Sequence, residues 1–261
     1  MSGNVHVHLL PELMPVGAVA GQTAVIIDVL RASSTIVTAL DHGAAGVIPC
    51  GDPAEAIRLR LSSAAADVLL GGERGGVRID GFDLGNSPAE YTRDRVAGRR
   101  IVFTTTNGTR ALLRCQDARH IVIGCWLNLA SLAKWLAATS TQIHLVCAGT
   151  DGIVSGEDVL AAGAIVQQLA VLAGTEPSLN DSAAIARGAA VQLLGAAMDD
   201  SGRLADYFSM TQGGRNLIQI NQRSDLPICA AISSLRIVPL LDAARGELRA
   251  AETGSEGQLS V

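Results

Sequence analysis

The strongest constraint on the fold is a strand–loop–helix pattern in residues 24–40, AVIIDVLRASSTIVTAL. The uninterrupted apolar run at 24–27 is typical of a strand buried on both faces of a parallel sheet. Asp28 follows the run directly, and the apolar residues of 36–40 have the spacing of a buried helix face. The pattern therefore predicts an acidic group at the carboxyl end of a buried strand, the edge where open α/β sheets bind ligands.

The loop between this strand and helix combines a base with hydroxyl groups. Arg31 offers a bidentate fork for an anion, and Ser33, Ser34 and Thr35 are candidates for the N-cap of the helix. A helix N-terminus also favours anions. Asp28 would repel an anion unless a cation lies between them, so one interpretation is a metal-bridged anionic substrate. The other is an ion pair between Asp28 and Arg31 with no ligand role.

Strand and helix patterns alternate along almost the whole chain, and no linker interrupts them. We therefore predict one domain over residues 1–261, a three-layer α/β/α fold with a largely parallel or mixed sheet. Towards the C-terminus we expect a long helix at 181–198, a glycine-rich loop at 211–216 and a strand at 236–239. The polar residues 249–261 are expected to form a flexible tail.

Further loops along the chain also carry polar clusters. Residues 71–76, GGERGG, and residues 81–88, GFDLGNSP, have no helical period, and loops of this kind in compact domains are usually functional. Hydroxyl and amide groups follow at 104–109, TTTNGT, and two adjacent acids follow the strand that ends near 147. The candidate residues in these loops are Glu73, Arg74, Asp83, Asn86, Thr105, Thr106, Asn107, Gly108, Thr109, Gly149, Thr150, Glu157 and Asp158.

Composition excludes several classes of function. The formal net charge of −5 argues against a nucleic-acid or anionic-membrane partner, and no apolar run is long enough to span a membrane. The one lysine, Lys134, lies in a helical pattern, which argues against Schiff-base or P-loop chemistry. The five widely spaced cysteines predict reduced thiols in a cytoplasmic protein. His6 and His8 share a strand face, and a solvated face is favoured over a metal site.

Acids combined with oxyanion donors favour a hard cation such as Mg²⁺, which prefers oxygen ligands. No nucleophile elbow or HExxH motif is found in the sequence. Mg²⁺ commonly serves phosphoryl transfer, where it offsets phosphate charge. An aspartyl-phosphate mechanism of the haloacid dehalogenase type requires a second Asp two residues after the first. That position is Leu30, so this mechanism is not supported.

Several motifs carry a resemblance to a known family. The stretches IDVLRASST at 27–35, GGERGG, GFDLGNSP and TTTNGT, with CAGT at 147–150, resemble the 2-phosphosulfolactate phosphatase (ComB-like) family over roughly residues 5–241. The resemblance implies a Mg²⁺-dependent hydrolase of the phosphate ester of sulfolactate, a step in coenzyme M formation. Gly213 stands where the family tends to have His, and Ser233 where it tends to have Asp.

We therefore predict a Mg²⁺-dependent phosphatase acting on a small phosphorylated acid, as a monomer or homodimer. The alternative is a non-catalytic small-anion binding protein. The expected catalytic residues are Asp28, Arg31, Glu73, Arg74 and Asp83. The expected metal ligands are Asp28, Asp83, Glu157 and Asp158. The expected substrate-binding residues are Ser33, Ser34, Thr35, Asn86, Thr105, Thr106, Asn107, Gly108, Thr109, Gly149 and Thr150.

Overall fold

A computed structural model describes residues 3–62 and 68–251. Its strands are β1 (Asn4–His8), β2 (Thr23–Ile27), β3 (Gly46–Pro49), β4 (Val68–Arg74), β5 (Val77–Arg78), β6 (Arg100–Thr104), β7 (His120–Gly124), β8 (Gln142–Cys147), β9 (Ser178–Leu179), β10 (Pro239–Asp242) and β11 (Glu247–Ala250). Its helices are α1 (Ala32–Asp41), α2 (Pro53–Ser62), α3 (Arg93–Val96), α4 (Gly108–Arg114), α5 (Leu129–Thr139), α6 (Gly156–Ala173), α7 (Asp181–Leu194), α8 (Ser201–Met210), α9 (Gln212–Gln219) and α10 (Asp225–Cys229).

All of these strands join one mixed, largely parallel sheet in the order β5-β4-β6-β3-β11-β10-β7-β2-β8-β1-β9. Two parallel sets, β4-β6-β3 and β7-β2-β8-β1-β9, are connected through the antiparallel hairpin β10–β11. The ladder that joins the hairpin to each set has a single registered residue pair, Leu248 with Val47 and Leu240 with Val122. Helices flank the sheet, which confirms the predicted α/β/α fold class.

The central strand β2 is buried along its whole length, as its apolar run predicts. Val25 and Ile27 belong to the core on the side of α6 and α7, whereas Ala24 and Ile26 pack on the opposite side with α1. Since both faces are covered, the strand is held rigidly. Its carboxyl end therefore presents Asp28 from a fixed backbone.

Helix α6 is the only helix among the described residues with the length and hydropathy of a membrane span. However, 67% of it is buried inside the protein, and it packs against α5 and α7. Gly163 allows the closest approach, because a Cβ there would lie 2.0 Å from the carbonyl oxygen of Ala186. These contacts identify α6 as a core helix of the domain.

The C-terminal third differs from the sequence expectation in its helices. Helix α7 ends at Leu194 rather than at 198, where Gly195 takes a positive φ of 73°. Helix α8 was not predicted, and it buries Leu204 and Phe208 on one face. The expected glycine-rich loop at 211–216 is the start of α9, and the Thr211 hydroxyl accepts a hydrogen bond from the Gly214 N–H at 3.2 Å.

The strand expected at 236–239 was also misplaced, since β10 begins only at Pro239. Residues 249 and 250 belong to β11, which pairs with β10, so the expected tail does not begin at 249. Glu247 anchors this hairpin, because its buried carboxylate pairs with both Arg100 and Arg249. The rest of the expected tail, 252–261, lies outside the described residues.

Parallel pairing of β1 with β8 assembles three histidines on one face of the sheet. His6 stacks on His144 with ring centroids 4.9 Å apart, and His8 Nε2 lies 3.0 Å from His144 Nδ1. Burial, reinforced by the neighbouring imidazoles, lowers the pKa of His8 and of His144 to about 4. The imidazoles therefore form a neutral hydrogen-bonded pair rather than the solvated face favoured by the sequence.

We expect this pair to make the protein sensitive to acid. In the unfolded chain both histidines titrate near 6.5, so between about pH 6.5 and 4 the unfolded chain binds protons that the folded protein does not. Stability is therefore lost as the pH falls through this window. Thermal melts should show a shallower loss for the double variant His8→Gln/His144→Gln than for the wild type. Parallel curves would contradict this assignment.

Candidate active site

A cavity of about 270 Å³ opens at the carboxyl ends of β2, β4 and β8 and beside the loop that follows β6. The loops that the sequence singled out therefore do meet at one place. The lining residues are Asp28, Leu30, Arg31, Glu73, Gly75, Gly76, Asn86, Thr106, Asn107, Thr150, Asp151, Gly213, Asn216, Leu217, Gln219 and Ile220. The last five belong to α9 and its end, which the sequence analysis did not place at the site.

Asp28 lies between two helix N-termini. Its Oδ1 accepts a hydrogen bond from the Ala32 N–H of α1 at 3.2 Å, and the carboxylate also accepts one from the Gly108 N–H of α4. Burial, together with the nearby carboxylates of Glu73 and Glu157, raises the pKa of Asp28 to about 7. The two backbone hydrogen bonds offset only part of this effect. The site therefore holds an acid that exchanges its proton near neutral pH.

Glu73 connects two loops of the cavity wall. Its Oε2 accepts from the Gly76 N–H at 2.7 Å, and its Oε1 accepts from the Thr106 N–H at 2.9 Å. Strand β4 continues through Glu73 because Gly72 permits close contact with β6, where a Cβ would lie 2.1 Å from the Thr104 carbonyl oxygen. The carboxylate thus fixes the β4–β5 hairpin against the loop that follows β6.

The adjacent acids of α6 have different surroundings. Both Asp158 oxygens are occupied, accepting from the Val29 N–H at 2.8 Å and the Gly149 N–H at 3.0 Å, so Asp158 fastens the ends of β2 and β8 together. Glu157 Oε2 is buried and has no hydrogen-bond partner. Its Oε1 lies against Gly213, where a Cβ would approach it to 2.2 Å. Burial raises the pKa of both carboxyl groups.

Arg31 pairs with a residue that the sequence analysis missed. Its Nη1 donates to Asp225 Oδ2 at 2.7 Å and its Nη2 donates to the Gly76 carbonyl at 2.7 Å. Ser87 Oγ donates to the other Asp225 oxygen at 2.7 Å. The pair between Asp28 and Arg31 considered above is therefore not the one that forms. Asp225 is distant in sequence, and no local motif marks it.

The hydroxyls of 33–35 are bonded to backbone carbonyls. Helix α1 already begins at Ala32, so these residues lie inside its first turn rather than at an N-cap. Ser33, Ser34 and Thr35 are buried and donate to the carbonyls of Ile26, Val29 and Asn86, respectively. They join α1 to β2 and to the 81–88 loop, and none of them lines the cavity.

Several other predicted site residues also lie outside the cavity lining, among them Glu157, Asp158, Asp83 and Arg74. Asp83 Oδ2 accepts from the Leu70 N–H at 2.8 Å and pairs with Arg60 at 3.0 Å. Arg74 donates to the Glu73 carbonyl at 2.6 Å and to Thr104 Oγ1 at 3.0 Å. Both side chains are occupied in holding β4 and its neighbours, so the structure does not bring Asp83 to the predicted ligand set.

The remaining predicted donors divide into two groups. Asn86, Thr106, Asn107 and Thr150 line the cavity, and Asn86 Oδ1 is buried without a hydrogen-bond partner. Four others do not line it: Gly149 donates to Asp158, and Thr105, Gly108 and Thr109 border a smaller apolar pocket beside Asp28. Ser233 is also remote, since its Oγ accepts from the Ala130 N–H at 3.2 Å at the start of α5.

Acids outnumber bases around the cavity. Asp28, Glu73 and Asp151 line it, whereas Arg31, the one cation among the described residues that line it, is already paired with Asp225. In the part of the chain that the structure describes, no group of three or more His, Cys, Asp or Glu side chains is arranged to hold a metal ion by itself. An anion therefore meets an acidic surface there unless a cation accompanies it.

Fold and site together define an α/β protein with an acidic, polar cavity at the carboxyl edge of its sheet. The family model for 2-phosphosulpholactate phosphatase matches residues 8–244. The chain belongs to this family of phosphoric monoester hydrolases, which confirms the resemblance found in the sequence.

Two relatives align with nearly the whole domain. A protein of Symbiobacterium thermophilum is 40% identical over 229 residues, covering 88% of this chain and 95% of the relative. One of Deinococcus radiodurans is 42% identical over 232 residues, covering 87% and 92%. Both are named probable 2-phosphosulfolactate phosphatase.

Proposed function

We propose that the protein hydrolyses the phosphate ester of a small acid, 2-phosphosulfolactate, with Mg²⁺ as cofactor. The observation that carries the metal requirement is the acid excess around the cavity, where Arg31 is the lining cation and is already paired. A substrate with two acidic groups binds weakly to such an acidic surface unless a cation lies between them. The relatives' names support this substrate.

The donor set fits Mg²⁺. The cation needs oxygen ligands and is commonly held by one or two carboxylates together with substrate phosphate oxygens and water. Glu157 supplies an unpartnered buried carboxylate oxygen, and Asp28 supplies a carboxylate whose charge is costly without a cation. Such a site needs no preformed cluster of three ligands, in agreement with its absence among the described residues.

When bound, Mg²⁺ would offset the negative charge of the transferred phosphate. The chain's own groups would orient the substrate: Thr106 and Asn107 line the cavity at the start of α4, and the Thr106 hydroxyl and the Asn107 amide would donate to phosphate oxygens. The Asn86 amide and the remaining N–H donors of Arg31 would bind the acidic group that is not transferred. Asp28 is the first choice either for a ligand of the cation or for the base that receives the proton of the attacking water.

The experiment that tests this function is phosphate release from 2-phosphosulfolactate and from phospholactate, with Mg²⁺ and with excess EDTA. We expect release with Mg²⁺ and loss of release after chelation. Equal rates in both conditions would exclude the metal requirement. Absence of release from either substrate with Mg²⁺ would exclude this substrate class.

The two arginines of the sequence motifs should behave differently. Arg31→Lys is expected to raise KM about tenfold with little change in kcat, because an ammonium group cannot replace the guanidinium between Asp225 and the substrate. Arg74→Lys is the matched control, since Arg74 does not line the cavity. Steady-state kinetics of both variants measure the difference. Equal KM values for the two would contradict the role of Arg31.

A further inference from the structure

Asp225 is the buried carboxylate for which the proposed chemistry has no use. It is 0% exposed, and its oxygens are bonded to Arg31 Nη1 and Ser87 Oγ, each at 2.7 Å. It belongs to α10, so the pair connects the C-terminal helices to the loop after β2. A buried pair of this kind is not by itself strong evidence for stability, because desolvation offsets much of the attraction.

If Asp225 were removed, other acidic side chains of the same cavity would remain as partners for Arg31. Arg31 lines the same cavity as Asp28 and Glu73. Its Nη2 is bonded to the Gly76 carbonyl, and the N–H of the same Gly76 is bonded to Glu73 Oε2. A buried guanidinium without a partner is costly, and Asp28 and Glu73 are carboxylates that line the same cavity. If Arg31 paired with these acids, its guanidinium would take the position that a bound cation would otherwise occupy.

We propose that Asp225 is a positioning residue that holds Arg31 away from Asp28 and Glu73 and thereby keeps these acids available to a cation. The inference rests on the proposed function only in taking Mg²⁺ as that cation. Asp225 approaches the guanidinium through Nη1, and Ser87 fixes the carboxylate in turn. The remaining guanidinium donors stay free for the substrate. The Arg31–Asp225 ion pair thus keeps the guanidinium apart from the carboxylates of the same small cavity.

The test is calorimetric titration of the protein with Mg²⁺ alone, without substrate. Asp225→Asn keeps the shape of the side chain and removes its charge. We expect Arg31 to turn towards the cavity acids and the Mg²⁺ affinity to fall about tenfold or more, since a nearby opposite charge changes carboxylate equilibria by that order. In the double variant Asp225→Asn/Arg31→Gln the competing cation is gone, and we expect the Mg²⁺ affinity to return to roughly the wild-type value.

Glu247→Gln is the matched control. Glu247 is also a buried carboxylate paired with arginine, but it lies in β11 and does not line the cavity. We expect this variant to melt at a lower temperature and to bind Mg²⁺ as the wild type does. If Asp225→Asn fails to fold, Ser87→Ala removes only the hydrogen bond to Asp225, and a smaller loss of Mg²⁺ affinity is expected.

Three different results would each overturn a different part of the proposals. Unchanged Mg²⁺ affinity in folded Asp225→Asn, or in Ser87→Ala where that variant replaces it, would overturn the role of Asp225 alone. A loss that persists in the double variant would show that Asp225 acts through the structure of the site and not through Arg31. A wild-type protein that does not bind Mg²⁺ would overturn the proposed function itself, and with it the cation that Asp225 is argued to serve.

Discussion

Asp28→Asn is expected to reduce turnover by roughly a thousandfold or more while leaving the fold intact. The backbone at Asp28 is fixed by the fully buried strand β2, and its Oδ1 bond to Ala32 can be kept by the amide oxygen of Asn. The substitution removes the charge that a cation needs and the group that receives a proton. Phosphate release with Mg²⁺ measures the loss. Asp83→Asn, which changes an acid outside the cavity lining, is the control and should retain activity.

The same variant should not be less stable without metal. The folded pKa of Asp28 is about 7, well above its ordinary value of 3.8, so its contribution to stability is present at low pH and is lost as the pH rises through about 7. Asn carries no charge at any pH in this range, so the variant does not lose stability in this way. Thermal melts of metal-free protein at pH 8 should therefore show Asp28→Asn equal to or more stable than the wild type. A lowered melting temperature together with unchanged Mg²⁺ affinity would remove Asp28 from the site.

The parts of the fold that follow local patterns were predictable. The apolar run at 24–27 forms most of β2, and Asp28, the acid that follows it, is buried and lines the cavity. Likewise, Asp52 caps α2 through its bond to the Glu55 N–H at 2.8 Å, as a polar residue before a proline at the first helical position indicates. In these places neighbouring residues decide the structure, so the sequence carries the information directly.

Long-range partners were not predictable, and they decided the roles of several candidates. Arg31 lines the cavity, but its partner Asp225 comes from a helix distant in sequence. Asp83 follows a strand like the other acids, yet its carboxylate turns back to Leu70 and Arg60. The role of a hydroxyl-rich motif is equally hard to predict from sequence. A serine near the start of a helix bonds either to a ligand or to the backbone, and which of these occurs depends on the residue at which the helix begins.

Helix α9 shows why glycine patterns mislead. Gly213 and Gly214 predict a loop by composition, but both lie in the first turn of a helix whose neighbours leave no room for a side chain. A Cβ on Gly214 would lie 1.8 Å from the Phe208 carbonyl oxygen, and one on Gly213 would lie 2.2 Å from Glu157 Oε1. These glycines are required by close packing and not by backbone freedom. Gly213 in particular sets the position of the carboxylate proposed for the cation.

Gly213→Ala is therefore expected to lower both Mg²⁺ affinity and turnover, by roughly a hundredfold, through displacement of Glu157. The Glu157 carboxylate is buried, so it has little room to move aside. Alanine also favours the helix by about 1 kcal/mol over glycine, which offsets part of the steric cost, and the melting temperature should change little. Calorimetric titration with Mg²⁺, kinetics and thermal melts together measure the effect.

Gly188→Ala provides the matched control, because nothing lies within 4 Å of a Cβ at that position of α7. It should raise stability by about 1 kcal/mol and leave Mg²⁺ affinity unchanged. Glu157→Gln should reproduce the loss seen in Gly213→Ala, and the double variant should be no worse than either, since both remove one ligand. Undiminished Mg²⁺ affinity in Gly213→Ala, or losses that add in the double variant, would show that Gly213 and Glu157 do not act through a common cation site.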